Sequence, residues 1–156
     1  MRVEKDYEEL LELFNRHDVR YCIVGAFAVA LHGRPRYTKD IDILVDTTPT
    51  NAGRVLAALD SFGFGALELT VEDFSHPGQI IQLGFEPLRI DILTAIAGLP
   101  FDEIWQDRVV ARYGETNAVF IGLDDLMKAK RLANRSQDRA DLEVLERVRN
   151  VRHPNK

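Results

Sequence analysis

Cysteine is nearly absent, one in 156 residues, so the chain cannot staple itself with a disulfide. That one, Cys22, sits in the apolar run Tyr21-Cys22-Ile23-Val24, where a lone thiol reads as a small buried hydrophobe rather than a nucleophile. Positive charge is in deficit too: 20 Lys and Arg against 25 Asp and Glu leave a net charge of −5. Coating nucleic acid needs a broad basic surface to displace counterions, so that class is excluded, although a local basic patch is not. Long apolar runs are also missing. Met1 to Leu13 mixes charges with Leu and Tyr at helical spacing, which is neither the apolar centre of a signal peptide nor a membrane span. The expectation is a cytoplasmic protein with no membrane partner. No low-complexity tract and no repeat of 20 to 50 residues occurs, which removes disordered halves, solenoids and propellers.

What is present is an ordinary globular composition, 46% hydrophobic and 29% charged, over a length that suits one domain spanning residues 1–156. Tyr7, Leu10, Leu11 and Phe14 recur at helical spacing and predict a helix from about Glu4 to Arg16. Tyr21 to Val24 reads as a buried strand stopped by Gly25, followed by a helix from Ala26 to about Leu31 that ends at Gly33 and Pro35. Asp40 to Val45 predicts a strand with two unlike faces, and Asn51 to Phe62 a helix. Ile80 to Phe85 and Leu88 to Leu93 predict an antiparallel hairpin turning at Glu86-Pro87. A helical turn at Phe101 to Trp105 and strands at Val109 to Tyr113 and Ala118 to Ile121 follow, then helices at Leu123 to Asn134 and Gln137 to about Val148. This order implies an α/β (α+β) fold, a mixed sheet packed by helices.

Acids stand out against this frame. Strand alternation places Asp40 and Asp42 on one face with Ile41 and Ile43 on the other, and Asp91 on a polar edge between the inward Ile90 and Ile92. If the three converge, each charge pair about 4 Å apart repels by roughly 4 kcal/mol at an effective dielectric near 20. Mg²⁺, a hard cation that joins one or two carboxylates to phosphate oxygens, is the natural compensator, and two such ions can clamp an in-line phosphoryl displacement. Taken alone, Asp-x-Asp reads first as the solvated face of an amphipathic strand. Its weight comes from what stands before it. Val24-Gly25-Ala26 ends a strand and opens a helix, a place where backbone N–H groups suit a phosphate, although a glycine there also serves a tight turn and nothing more.

In order, Val24-Gly25-Ala26, then Gly33-Arg34-Pro35-Arg36-Tyr37-Thr38, then Lys39-Asp40-Ile41-Asp42, and later Arg89-Ile90-Asp91-Ile92, resemble the nucleotidyltransferase superfamily, in particular its minimal bacterial branch with the toxin-type members. Asp125 to Lys130, Arg135 and Asp138-Arg139-Ala140-Asp141 resemble that branch's helical lysine and Arg-x-x-Asp-x-x-Asp element. The resemblance implies a catalytic core over about residues 20–122 and C-terminal helices over about 123–150. It implies Mg²⁺-dependent transfer of a nucleoside monophosphate from a nucleoside triphosphate to a hydroxyl acceptor such as transfer RNA, a protein or a small molecule. Asp40 and Asp42 would bind metal, Asp91 would bind metal or help deprotonate the acceptor, and Gly25 and Ala26 would approach the triphosphate. Arg36 and Lys39 would hold the triphosphate or soften the acidic field, and Thr38 would hydrogen-bond near the strand start. Lys128 shares a helical face with Arg131 and Arg135 and either neutralises phosphate or faces solvent. Asp138 and Asp141 are expected to pair with nearby arginines and fix the helix pair.

Ala26 stands where the family pattern has Gly or Ser, so it offers a phosphate its N–H but no hydroxyl. A catalytically degenerate nucleotide-binding or toxin–antitoxin module is therefore the alternative expectation. The size of the chain implies that acceptor choice calls on a helical partner protein or a homodimer, with the N-terminal helix or Trp105 as the contact, unless both simply pack on the domain. A third reading, nucleic-acid binding, rests on Lys128, Lys130, Arg131, Arg135 and Arg139.

Overall fold

The structure, a computed structural model, describes residues 3–35, 38–85 and 88–152. Arg36 and the Glu86-Pro87 turn, both singled out above, lie outside the described residues. Helix α1 (Lys5–Arg16) buries Tyr7, Leu10, Leu11, Leu13 and Phe14, every one on its apolar stripe. That face is spent on the core and is no free interface. Strand β1 (Tyr21–Val24) is buried throughout, and Cys22 within it is fully buried, with burial pushing its thiol up to about 12. It is an inert hydrophobe.

Helix α2 (Gly25–His32) follows β1 with no intervening loop, then come β2 (Asp40–Val45) and α3 (Pro49–Leu59). α3 starts two residues before the expected Asn51 because Thr48 caps it, accepting from the Asn51 N–H, and Pro49 fits the first turn. Its regular part stops at Leu59 rather than Phe62, since Gly63 takes φ 118 inside an irregular helical turn over Asp60–Phe64. A short helix absent from the sequence expectation, α4 (Val71–Ser75), is fixed by a capping box between Thr70 and Asp73. Strands β3 (Ile80–Phe85) and β4 (Leu88–Leu93), helix α5 (Phe101–Gln106), strands β5 (Val109–Tyr113) and β6 (Thr116–Phe120), and helices α6 (Leu123–Ala133) and α7 (Ser136–Arg152) complete the order. β6 begins two residues earlier than expected, and α7 extends four further.

The described strands form one mixed sheet in the order β3-β4-β2-β1-β6-β5. β2 pairs antiparallel with β1 and parallel with β4; β3 and β4 form the expected antiparallel pair. Ile41, Ile43, Ile90 and Ile92 lie buried on one face, which α1 and α3 cover, and Tyr7 pins the two parallel strands by donating to the carbonyls of Lys39 (2.5 Å) and Arg89 (2.8 Å). The buried Asn51 ties the opposite end of the sheet, accepting from the Arg20 N–H and donating to the carbonyls of Arg20 and Asp46. On the other face α6 and α7 pack together, and α2 contacts both. Among the described residues no helix is long and apolar enough to cross a membrane.

Candidate active site

The parallel register places Asp42 of β2 directly beside Asp91 of β4, and Val24, the last residue of β1, on the other side of Asp42. Two carboxylates on adjacent strands of the same face thus meet at the point where β1 gives way to α2. Gly25 makes this closeness possible. Its φ is +67°, and a Cβ there would come within 2.2 Å of Asp42 Oδ2. The glycine expected to admit a ligand is required first by the Asp42 carboxyl itself.

The pair is electrostatically loaded. Burial, then the neighbouring charge and hydrogen bond of Asp91, then the charge of Asp40, lift Asp42 to about 7, against a lowering influence from Lys130. Asp91 is raised as well, by burial first, although the hydrogen bond from Asp42 and the charge of Arg89 oppose it. Each carboxyl thus makes the other harder to ionise, and the two titrate as a pair. Asp91 Oδ1 is buried without a hydrogen-bond partner, a costly arrangement for an anionic oxygen.

That orphaned oxygen decides whether a divalent cation fits. Two carboxylates with an unsatisfied lone pair supply the hard, anionic oxygens that Mg²⁺ prefers, and phosphate or water oxygens would complete its octahedron. Asp40 is engaged elsewhere, its Oδ1 accepting from Arg89 Nε at 3.1 Å and its Oδ2 from Arg89 Nη2 at 3.3 Å. Among the described residues no three or more His, Cys, Asp or Glu side chains are already grouped to hold a metal. The Asp42 and Asp91 pair therefore fits a cation, while Asp40 is held by Arg89.

A second cluster faces this one. Lys130 of α6 donates to Asp138 Oδ1 at 3.1 Å and Asp141 Oδ2 at 3.0 Å, and Arg135 donates its Nε to Asp138 Oδ2 at 2.7 Å. The Arg135 N–H also reaches Asp138 Oδ2 at 3.1 Å, an acid three residues into α7 closing the helix start. Burial would raise Asp138, but the hydrogen bonds from Arg135 and Lys130 outweigh it and hold the group at about 2. Asp138 has the expected arginine partner in Arg135, and Lys130 joins it; Asp141 accepts from Lys130 and Gln137.

Two cavities meet between the clusters. The larger, about 580 Å³, reaches Asp42, Asp91, Lys130 and Arg135, and the smaller, about 320 Å³, reaches Ala26, Thr38, Asp40 and Asp42. Gly25, Asp42, Lys130, Arg135 and Asp138 line both. Thr38 accepts from the Asp40 N–H at 3.3 Å, at the start of β2 as expected. Lys39 is exposed and contributes its carbonyl to the strand frame. Lys128 is exposed and lines neither cavity. Two residues along a helix turn through roughly 200°, so the face Lys128 shares with Arg131 is not the face that carries Lys130 inward. The signal for Lys130 lay in the apolar stripe: it follows Leu126 by four and Met127 by three, both buried. Trp105 packs on Phe101 at 5.9 Å, with the Arg108 guanidinium 3.9 Å from its ring centre.

Comparison with known proteins places the chain in a family and a fold. The profile of the family described as "Nucleotidyltransferase of unknown function (DUF6036)" matches residues 2–151. No curated protein is similar enough in sequence to count as a match. Among solved structures, a candidate nucleotidyltransferase from Thermotoga maritima superimposes with a TM-score of 0.59 at 13% identity, over 91% of this chain and 93% of that one. The lincosamide antibiotic adenylyltransferase LnuA, in its lincomycin-bound form, gives 0.57 at 18% identity, over 93% and 97%. At these identities the likeness is one of fold.

Proposed function

From the premise that the chain belongs to this nucleotidyltransferase family, we propose that it moves a nucleoside monophosphate from a nucleoside triphosphate to a hydroxyl acceptor and releases pyrophosphate. The observation that carries the reading is the Asp42 and Asp91 pair, adjacent in register and leaving a buried oxygen without a partner beside the Gly25 turn. Asp42 and Asp91 would hold Mg²⁺, and Asp40 would join if Arg89 turned its guanidinium to the incoming phosphates. Bound metal would neutralise charge on the phosphates and on the departing pyrophosphate.

The rest falls to the chain's own groups. The smaller cavity receives the triphosphate against Thr38 and the start of α2, whose backbone N–H groups suit phosphate without a hydroxyl from Ala26. Lys130 and Arg135 stand beside it as cations. An acceptor hydroxyl beside Asp91 forms a bond from its oxygen to the α-phosphorus, the bond from that phosphorus to the bridging oxygen breaks, and pyrophosphate leaves. The hydroxyl proton passes to a carboxylate of the pair. Such chemistry is mainly positioning and charge neutralisation.

Incubation with α-labelled nucleoside triphosphates and Mg²⁺, read as label transfer and pyrophosphate release, tests the reading. Transfer by the wild type and its loss in both Asp42→Asn and Asp91→Asn are expected; wild-type turnover in either variant contradicts it. A second reading, a degenerate nucleotide-binding or toxin–antitoxin module, draws on Ala26, which lacks a hydroxyl, and on Asp40, which Arg89 occupies. It predicts nucleotide binding that is equal with and without Mg²⁺, and no turnover with any acceptor.

A further inference from the structure

The two cavities are chemically unlike beyond the five residues they share. Ala26, Thr38, Asp40, Gln137 and Asp141 line only the small one, all but Ala26 with polar side chains. Asp91 opens only into the large one, and the walls there are apolar. Leu93 and Ile96 come from β4 and the loop after it, and Leu126, Ala129 and Leu132 from α6. The mouth carries Ile80, 64% exposed, and Leu132, 58% exposed, large apolar side chains that the protein leaves in water. Gln82, opposite Asp91 in the β3 and β4 register, is a neutral polar group in the same cavity. Among the described residues, its lining cations are Lys130 and Arg135, and both are ion-paired with Asp138.

Resting on the transferase reading above, we propose that the large cavity is the acceptor site and that the acceptor is a small neutral molecule with an apolar body and a free hydroxyl. A volume of about 580 Å³ lies within the range of roughly 300–1,000 Å³ typical of small-molecule pockets. Apolar walls reward an apolar body. Carboxyl oxygens of Asp42 and Asp91 at the floor accept a hydrogen bond from a hydroxyl, whereas a carboxylate brings no donor to them. A polynucleotide would instead require cations along the walls.

2-Naphthol, neutral at pH 7 and fluorescent, is a suitable probe, with 2-naphthoate as its anionic counterpart. Saturable binding of 2-naphthol, at least tenfold tighter than that of 2-naphthoate, is expected. The rim variant Ile80→Asp/Leu132→Asp should weaken 2-naphthol at least tenfold while leaving intact the thermal shift produced by Mg²⁺ with a nucleoside triphosphate. Equal binding of the two naphthalenes, or unchanged 2-naphthol binding in the rim variant, overturns the proposal. Loss of the nucleotide-induced shift in the rim variant also overturns it, by assigning the apolar walls to the nucleobase, and leaves the transferase reading standing. A wild type that shows no nucleotide-induced shift at all overturns the transferase reading itself.

Discussion

Asp138 and Asp141 at the start of α7 meet Lys130, Arg135 and Gln137 within hydrogen-bond distance, whereas Asp42 and Asp91, across the same cleft, meet chiefly each other and leave Asp91 Oδ1 with no partner. Burial is overcome in one pair and prevails in the other. Asp138 is held at about 2 and Asp42 is lifted to about 7. A satisfied cluster is what a fold needs to fix two helices. An under-satisfied one costs stability and makes sense where something absent from the chain completes it.

The contrast can be broken from either side. The largest expected effect is on chemistry: Asp42→Asn should reduce nucleotidyl transfer by about a thousandfold or more, in a protein at least as stable as the wild type, because a like-charge pair has been relieved. Activity assays together with urea denaturation check both halves. The reverse holds in the second cluster. Lys130→Met removes the cation that Asp138 and Asp141 share, leaving Arg135 on Asp138 and Gln137 on Asp141, and should destabilise the fold by roughly 3–5 kcal/mol, read from the urea midpoint. Gly25→Ala forces an alanine to φ +67° against Asp42 Oδ2 and should cost about 1–3 kcal/mol while displacing the carboxyl from its place beside Asp91.

Acidity sharpens the comparison because the two shifts have opposite signs. Asp138 has a folded value depressed to about 2 from 3.8, so its contribution of about 2 kcal/mol is present above about pH 4 and lost as the pH falls towards 2. Asp42 has a folded value raised from 3.8 to about 7. The native state then holds a proton that the unfolded chain has released, and stability falls as the pH rises through that window. Denaturation midpoints measured from pH 2 to 8 should show both slopes, with Asp42→Asn removing the upper one and Asp138→Asn the lower. The smallest effect is expected at Lys128, exposed on α6: Lys128→Ala should stay within about 0.5 kcal/mol and leave transfer nearly unchanged.

Much of this was legible before the structure. The strict alternation of Asp with Ile in 40–43 and 90–92 gives the strands and the faces, because a period of two has one physical meaning. Glycine after Tyr21 to Val24 marks the turn. The register that sets Asp42 beside Asp91 was not legible, since strand partners are chosen by the whole sheet rather than by either strand. Nor was the engagement of Asp40 by Arg89, which depends on that register. That Lys130 rather than Lys128 lines the cavities was missed for a local reason: similarity to basic neighbours was read, when the informative feature was a lysine lying in a stripe of buried Leu126, Met127 and Ala129. Helix α4 was missed although Thr70 and Asp73 carried its capping box, because one turn of helix burying only Phe74 has no periodicity to detect.

The most direct test of the site is thermal unfolding of the wild type and Asp42→Asn, each with Mg²⁺ alone, with each nucleoside triphosphate alone, and with both together. A nucleotide at about a hundred times its dissociation constant adds roughly 2.7 kcal/mol, which is several degrees for a chain of this length. A shift in the wild type that needs metal and nucleotide together, and that vanishes in Asp42→Asn, is the predicted result. A shift that is the same without Mg²⁺, or that survives in Asp42→Asn, would contradict the assignment of the Asp42 and Asp91 pair as the metal and nucleotide site.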